Sequence, residues 1–232
     1  MGERIPIRAV LLLATTALAT PAAAANKEVR RLEACREVIS ELAGIKEGVP
    51  RDLFDAAECV VVIPGVKKAA LGLGGRFGYG AALCRGAGGV GWGAPLMMSL
   101  KGGSFGLQIG GEEIDLVLLV MNPKGIDNLL RSKFTLGADA SVAAGPIGRT
   151  AAAGTDLRMR AEILSYSRSR GIFAGLALDG AVLKPDRKAV HSVYGEDVAA
   201  RDLLLRSGYP TPAAGRGLVS ELERLSPRRA QR

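Results

Sequence analysis

The stretch SYSRSRGIFAG, residues 165–175, carries the side chains best suited to chemistry with an anion. Side chains alternate across a β-strand, so Tyr166, Arg168 and Arg170 would share one face. Guanidinium groups bind phosphate oxygens through two parallel hydrogen bonds, and a tyrosine suits a half-apolar, half-wet setting. The row therefore indicates a phosphate or anionic head-group site. The alternatives are the solvated face of an ordinary strand, or an arginine that neutralises a buried carboxylate.

Further cations could join this row. The formal net charge is +8, which favours anionic partners, and charge alone does not choose among nucleic acid, a membrane surface and acidic polymers. Five Phe, four Tyr and one Trp offer few platforms for stacked bases, so we expect no nucleic-acid partner. The other predicted lipid-binding cations are Lys67 and Lys68 in PGVKKA and Arg76 in GGRFGYG.

Patterns typical of catalysis are weak. GAGGVG, residues 86–91, has the letters of a dinucleotide fingerprint, but Trp92, Gly93 and Pro95 prevent the helix that must follow. His191 is the only histidine, and no G-x-S-x-G or H-E-x-x-H motif occurs. Asp115 and Asp139 interrupt apolar stretches, and ion pairs with nearby arginines or lysines account for them better than catalysis. We therefore expect no enzyme, no cofactor and no metal site.

Residues 1–25 resemble a secretory signal peptide, with two arginines, a short apolar run and Ala-x-Ala pairs before Asn26. The protein is thus expected to be exported, in the periplasm or cell envelope and peripheral to a membrane, with a net charge near +7 after cleavage. In an oxidising compartment Cys59 and Cys84 are the predicted disulfide, leaving Cys35 free. Three unpaired thiols are the alternative.

Residues 26–208 predict one α+β domain. Asn26–Gly44 has the spacing of an amphipathic helix, with Val29, Leu32, Ile39 and Leu42 as its apolar stripe. Gly-rich strands follow from Cys59 to about Gly180 and indicate a mainly antiparallel curved sheet or partly closed barrel, with a few short helices. One of these strands is predicted over KFTLGADASVAA, and residues 209–232 are expected to form a flexible basic tail. The cations on the flank of the first helix, proposed as membrane contacts, are Lys27, Arg30 and Arg31.

Four strings occur in the order and spacing of the SYLF family: CVVVIPGVKKAALGLGGRFGYG, GGSFGLQIGGEEIDLVLLVMN, KFTLGADASVAAGPIGR and YSRSRGIFAGLALDGAVL. The resemblance covers about residues 32–205 and includes the arginine row. It implies a non-catalytic module that binds phospholipids, with phosphoinositides favoured among eukaryotic members, some of which also bind actin. The signal peptide, and the lack of the SH3 or FYVE modules of those members, make actin regulation a poor expectation here. We expect peripheral association with anionic, phosphoinositide-like head groups; the alternative is a structural or protein-interaction module of the envelope whose apolar helix face meets a partner protein.

Overall fold

The computed structural model describes residues 21–44, 49–145, 161–169, 172–175, 178, 180–206 and 208–227. Among these residues, no helix is both long and apolar enough to cross a membrane. The α-helices are α1 (Pro21–Gly44), α2 (Arg51–Ala56), α3 (Pro123–Leu129), α4 (Arg187–Tyr194), α5 (Ala200–Leu205) and α6 (Arg216–Leu225).

A single curved sheet forms the centre of the fold. Its strands are β1 (Cys59–Cys84), β2 (Leu96–Val120), β3 (Phe134–Thr135), β4 (Val142–Ala144), β5 (Ile163–Ser169), β6 (Ile172–Gly175) and β7 (Val182–Pro185). The order is β3-β7-β2-β5-β4, with β1 paired to β2 and β6 paired to β5. All of these pairings are antiparallel except β4 with β5, which confirms the predicted mainly antiparallel sheet.

The long hairpin of β1 and β2 gives the sheet its curvature. The sequence predicted several separate strands here, whereas the structure joins them into strands of 26 and 25 residues with two register shifts. The two halves of β1 approach each other closely, because a Cβ atom at Gly80 would collide with the Val62 carbonyl oxygen. The predicted Cys59–Cys84 disulfide is present and joins the first and last residues of β1.

Helix α1 lies on the sheet and buries its apolar side. Its buried apolar side chains are Leu32, Cys35, Val38, Ile39 and Leu42. Val29, which the sequence placed in the same stripe, is 47% exposed instead. The apolar face of α1 is therefore part of the protein core.

The prediction of a flexible tail over residues 209–232 is wrong for most of that segment. Residues 216–225 form α6, which contacts α1 and buries Leu218, Leu222 and Leu225. An amphipathic helix gains stability mainly from burying its apolar face. This short helix buries its apolar face against α1. Residues 228–232 lie outside the described part of the chain.

A buried arginine connects this C-terminal segment to β1. Arg85 donates hydrogen bonds to the carbonyl oxygens of Ala57 at 3.2 Å, Phe54 at 2.9 Å and Ser226 at 2.7 Å. Its guanidinium also lies 4.2 Å from the centroid of the Trp92 ring, whose indole N–H donates to the same Ser226 carbonyl at 2.9 Å. We call this group the Arg85 cluster.

The segment after β2 differs in part from the prediction. The expected helix at Asn122 is present as α3, with the Asn122 side chain accepting a hydrogen bond from the Gly125 amide at 3.0 Å. KFTLGADASVAA, however, is not one strand, because a turn separates β3 from β4. In this turn the Asp139 carboxylate accepts a hydrogen bond from the Thr135 amide at 2.7 Å. Capping this turn satisfies Asp139, so the predicted buried ion pair is wrong for this residue.

Candidate functional site

Arg168, the arginine of the row that the structure describes, does not form part of a free cationic surface. Arg168 lies opposite Asp115 in the pairing of β5 with β2, and its Nε donates to the Asp115 carboxylate at 2.8 Å. The guanidinium also forms an ion pair with Glu41 of α1. Burial raises the pKa of Asp115, and the hydrogen bond from the Gly65 amide opposes that shift. Of the alternatives open to the sequence, the arginine that neutralises a carboxylate inside the fold is the one found.

Tyr166 is wrong as a head-group contact, because its side chain is completely buried. It lies opposite Val117, and its ring occupies the space that a Cβ atom at Gly145 would need. The Tyr166 ring therefore packs inside the protein. Arg170 lies outside the described residues.

The predicted membrane helix also needs correction. Insertion of α1 into a bilayer would require its apolar face, which is buried against the sheet and α6. Arg31 forms ion pairs with Glu28 at 3.0 Å and Asp186 at 3.1 Å, and only 7% of its side chain is exposed. Burial raises the pKa of Glu28, and the charge of Arg31 opposes this. Lys27 and Arg30 are exposed on the same helix.

An exposed pair of aromatic side chains lies on the long hairpin. Phe77 and Tyr79 of β1 are 48% and 38% exposed, and as residues two apart in a strand they point to the same face. Lys101, which is exposed, lies directly opposite Phe77 on β2. Cross-strand neighbours of this kind are within contact distance of one another's side chains. Two aromatic rings and a lysine thus share one face of the hairpin.

Two cations of helix α1 approach the Tyr79 ring. The Lys27 ammonium lies 5.6 Å from the centroid of Tyr79, and the Arg31 guanidinium lies 4.9 Å from it, both within range of a cation–π interaction. A shallow pocket of about 330 Å³ is lined by Arg31, Lys67, Phe77 and Tyr79, among others. The residues of the aromatic–basic face, as we define it, are Lys27, Lys67, Phe77, Tyr79 and Lys101.

The remaining predicted cations lie elsewhere. Lys68 follows Lys67 in β1, so it points to the other side of the strand, and it is half-buried. Arg76 is half-buried next to Phe77 and likewise points away from it, with its Nε buried and without a hydrogen-bond partner in the described structure. The structure therefore places Lys27 and Lys67 near Tyr79, and leaves Arg76 and Lys68 outside the face.

Sequence reasoning missed Phe77, Tyr79 and Lys101. A signal was available in GRFGYGA, where the two aromatic residues alternate with glycines. Alternation places both rings on one face, but it does not show whether that face meets the core or solvent. The pairing of Phe77 with Lys101 depends on the register of the hairpin, which the sequence does not specify.

Comparisons with known proteins give a consistent result. The family model described as Ysc84, Las17-binding protein actin regulator, matches residues 101–225. Relatives include the SH3 domain-containing protein PJ696.02 of Schizosaccharomyces pombe, 36% identical over 69% of this chain and 38% of that protein. The SH3 domain-containing YSC84-like protein 1 of Rattus norvegicus is 30% identical over 85% of this chain and 57% of that protein. LAS seventeen-binding protein 3 of Saccharomyces cerevisiae is 30% identical over 75% of this chain and 38% of that protein.

The chain spans between about two fifths and three fifths of the length of these relatives. The family is one of lipid-binding or actin-regulatory adaptor domains and not of enzymes. The family model covers more than half of the chain, in agreement with the resemblance read from the four motifs. This chain belongs to the Ysc84 family, also known as the SYLF family.

Proposed function

We propose that this protein binds peripherally to anionic phospholipid surfaces through the aromatic–basic face. The observation that carries the proposal is the exposure of Phe77 and Tyr79 beside Lys27, Lys67 and Lys101. Such large apolar side chains are normally buried within a sheet, and an exposed apolar group with a polar rim is typical of an interaction site.

The chemistry of the face suits the boundary of a membrane. Each lysine near an anionic bilayer contributes roughly 1 kcal/mol of attraction, and aromatic rings favour the head-group level. Lys67 and Lys101 come from the two paired strands of one hairpin, so neither lysine depends on the ordering of a loop. The proposal thus moves the membrane contact from the arginine row to the long hairpin.

Co-sedimentation with vesicles tests the proposal. Wild-type protein should bind vesicles containing phosphatidylglycerol and not pure phosphatidylcholine, and binding should weaken as salt is raised. The Lys67→Gln, Lys101→Gln double variant should bind about tenfold to thirtyfold more weakly, since it loses two cations. The exposed Lys133 and Lys188 lie off the face, so Lys133→Gln, Lys188→Gln is the charge-matched control. Equal loss in both double variants would contradict the assignment of the face.

Phe77→Ser tests the apolar part of the face separately. It should weaken binding at high salt as well as at low salt, because insertion of a ring does not depend on screening. Val90, which is 57% exposed in another region, supplies the control Val90→Ser. Similar affinities for wild type and Phe77→Ser would contradict a contact between this ring and the bilayer.

A protein partner on the same face is the second candidate function. Exposed aromatic residues also form the centres of protein interfaces, and two of the relatives above are SH3 domain-containing proteins. The apolar face of α1, which the sequence suggested for such a partner, is buried and unsuited to it. A protein-binding face predicts no preference for phosphatidylglycerol over phosphatidylcholine.

Export remains part of the proposal. The signal-like residues 1–25 support it, and so does the Cys59–Cys84 disulfide, since such bonds persist mainly in oxidising compartments. Helix α1 begins at Pro21, so cleavage just before Asn26 would leave that residue at the start of the helix. The intact mass of the protein from a periplasmic or envelope fraction should lack residues 1–25. Denatured protein should contain one free thiol, Cys35, and either a retained Met1 or three thiols would contradict export.

A further inference from the structure

A second pocket lies between α3, α4 and α5 and shares no residue with the aromatic–basic face. It has a volume of about 520 Å³ and is open to solvent on one side. Ligand pockets for small molecules typically have volumes of about 300–1,000 Å³. Arg131, Arg187 and Arg201 line it, each contributed by a different segment of the chain.

Arg131, Arg187 and Arg201 form no ion pair with any residue of the described ranges. The one carboxylate in the lining belongs to Asp197, which is 87% exposed and lies 3.2 Å from Nδ1 of His191. Three arginines therefore line one cavity that has a single acidic residue in its lining. Elsewhere in this fold, Arg31 and Arg168 each contact two carboxylates.

Part of the lining is apolar. Pro185 and Val198 are half-buried and supply accessible apolar surface, while Leu96 and Val190 are buried. A pocket with cationic and apolar parts suits a ligand that has an anionic end and an uncharged remainder. Arginine groups recognise phosphate oxygens in particular, through paired N–H donors.

We propose that this pocket binds a phosphate monoester, with its phosphate between Arg131, Arg187 and Arg201 and its uncharged part against Pro185 and Val198. The phosphate could be carried by a lipid head group or by a soluble metabolite, and the chemistry recognised at the arginines is the same. This site binds one molecule in a cavity, whereas the aromatic–basic face meets an extended surface. The proposal therefore stands independently of the proposed membrane contact.

Isothermal titration calorimetry on the folded chain, residues 26–232, tests the site with three probes: inorganic phosphate, glycerol 3-phosphate and dihexanoyl phosphatidic acid below its micellar concentration. We expect one-to-one binding of at least one phosphate monoester. If dihexanoyl phosphatidic acid binds at least tenfold more tightly than glycerol 3-phosphate, the ligand is a lipid that uses the apolar wall. Equal affinities identify a soluble ester as the ligand class.

Variants assign the binding to this pocket. The Arg131→Gln, Arg201→Gln variant should bind the ester at least tenfold more weakly, because each arginine supplies charge-assisted hydrogen bonds. Arg51 and Arg216 are exposed and absent from the lining, so Arg51→Gln, Arg216→Gln is the matched control. The three pocket arginines are exposed, so both double variants should keep the wild-type melting temperature. The proposal is overturned if no monoester binds at 5 mM, or if the control loses affinity as much as the pocket variant.

Phosphatidylglycerol vesicles separate this site from the aromatic–basic face. Lys67→Gln, Lys101→Gln should leave the calorimetric affinity for the monoester unchanged, while the pocket variant should sediment with vesicles like the wild type. Loss of monoester binding in Lys67→Gln, Lys101→Gln would place the phosphate on the hairpin and overturn the pocket assignment.

Discussion

Two groups of cations in the described part of the chain differ in what they contact. Arg85 and Arg168 lie among carbonyl and carboxylate oxygens supplied by the fold. Lys27, Lys67 and Lys101 surround exposed aromatic rings and face solvent. A buried guanidinium must be fully paired to offset its desolvation, whereas an exposed ammonium stays hydrated until a partner arrives. The position of a cation relative to the core, and not its presence in a motif, therefore separates scaffold from candidate site.

The largest expected effect is the loss of the Arg85 cluster. Arg85→Met should lower the free energy of unfolding by about 3–5 kcal/mol, because it leaves several buried carbonyl oxygens without donors. Urea denaturation measures the change, and Arg51→Met is the exposed control, expected within about 0.5 kcal/mol of wild type. A change in unfolding free energy as small as that of Arg51→Met would show that Arg85 does not support the fold.

Reduction of the disulfide should come next. In the chain-entropy model, releasing Cys59 from Cys84, which are 25 residues apart, lowers the free energy of unfolding by about 3 kcal/mol. Denaturation with and without reductant measures it. The Cys59→Ala, Cys84→Ala variant is the control and should not respond to reductant, because Cys35 is then the only cysteine in the chain and has no disulfide to lose. Equal stability of oxidised and reduced wild type would contradict the bridge.

Removal of Arg168 should have an intermediate effect. Arg168→Met leaves the half-buried Asp115 with only its Gly65 hydrogen bond and should cost about 2 kcal/mol of unfolding free energy. Adding Asp115→Asn should recover part of that loss, since the half-buried charge is then removed, and Glu41, the other partner of Arg168, is 53% exposed and stays hydrated. Vesicle affinity of the folded single variant should equal that of wild type. A large loss of vesicle affinity with unchanged stability would show instead that Arg168 contacts the membrane.

The smallest effect on stability is expected on the aromatic–basic face. Lys67→Gln, Lys101→Gln should change the free energy of unfolding by less than about 0.5 kcal/mol, because both side chains are exposed. Thermal unfolding on the samples used for co-sedimentation measures it. A loss of more than 2 kcal/mol would show that these lysines also support the fold, and would end the distinction between the two groups.

The sequence predicted local structure better than burial. Helix α3 follows from Asn122 and Pro123, and a curved antiparallel sheet follows from glycine-broken strands, because these signals act within a few residues. Tyr166 and Arg168 were misassigned because alternation identifies a shared face without saying what covers it. The tail prediction failed for a related reason: the polar appearance of residues 209–232 concealed an apolar stripe whose partner is α1.

The Arg85 cluster has a consequence for how the chain folds during synthesis. Arg85 and Ser226 are 141 residues apart, so the arginine leaves the ribosome long before its carbonyl partner exists. Until Ser226 emerges, Arg85 and Trp92 lack a shared acceptor, and the end of β1 cannot be closed by the C-terminal segment. Nascent chains halted before residue 216 should therefore expose this edge to chaperones, and native packing should form only once α6 has been translated.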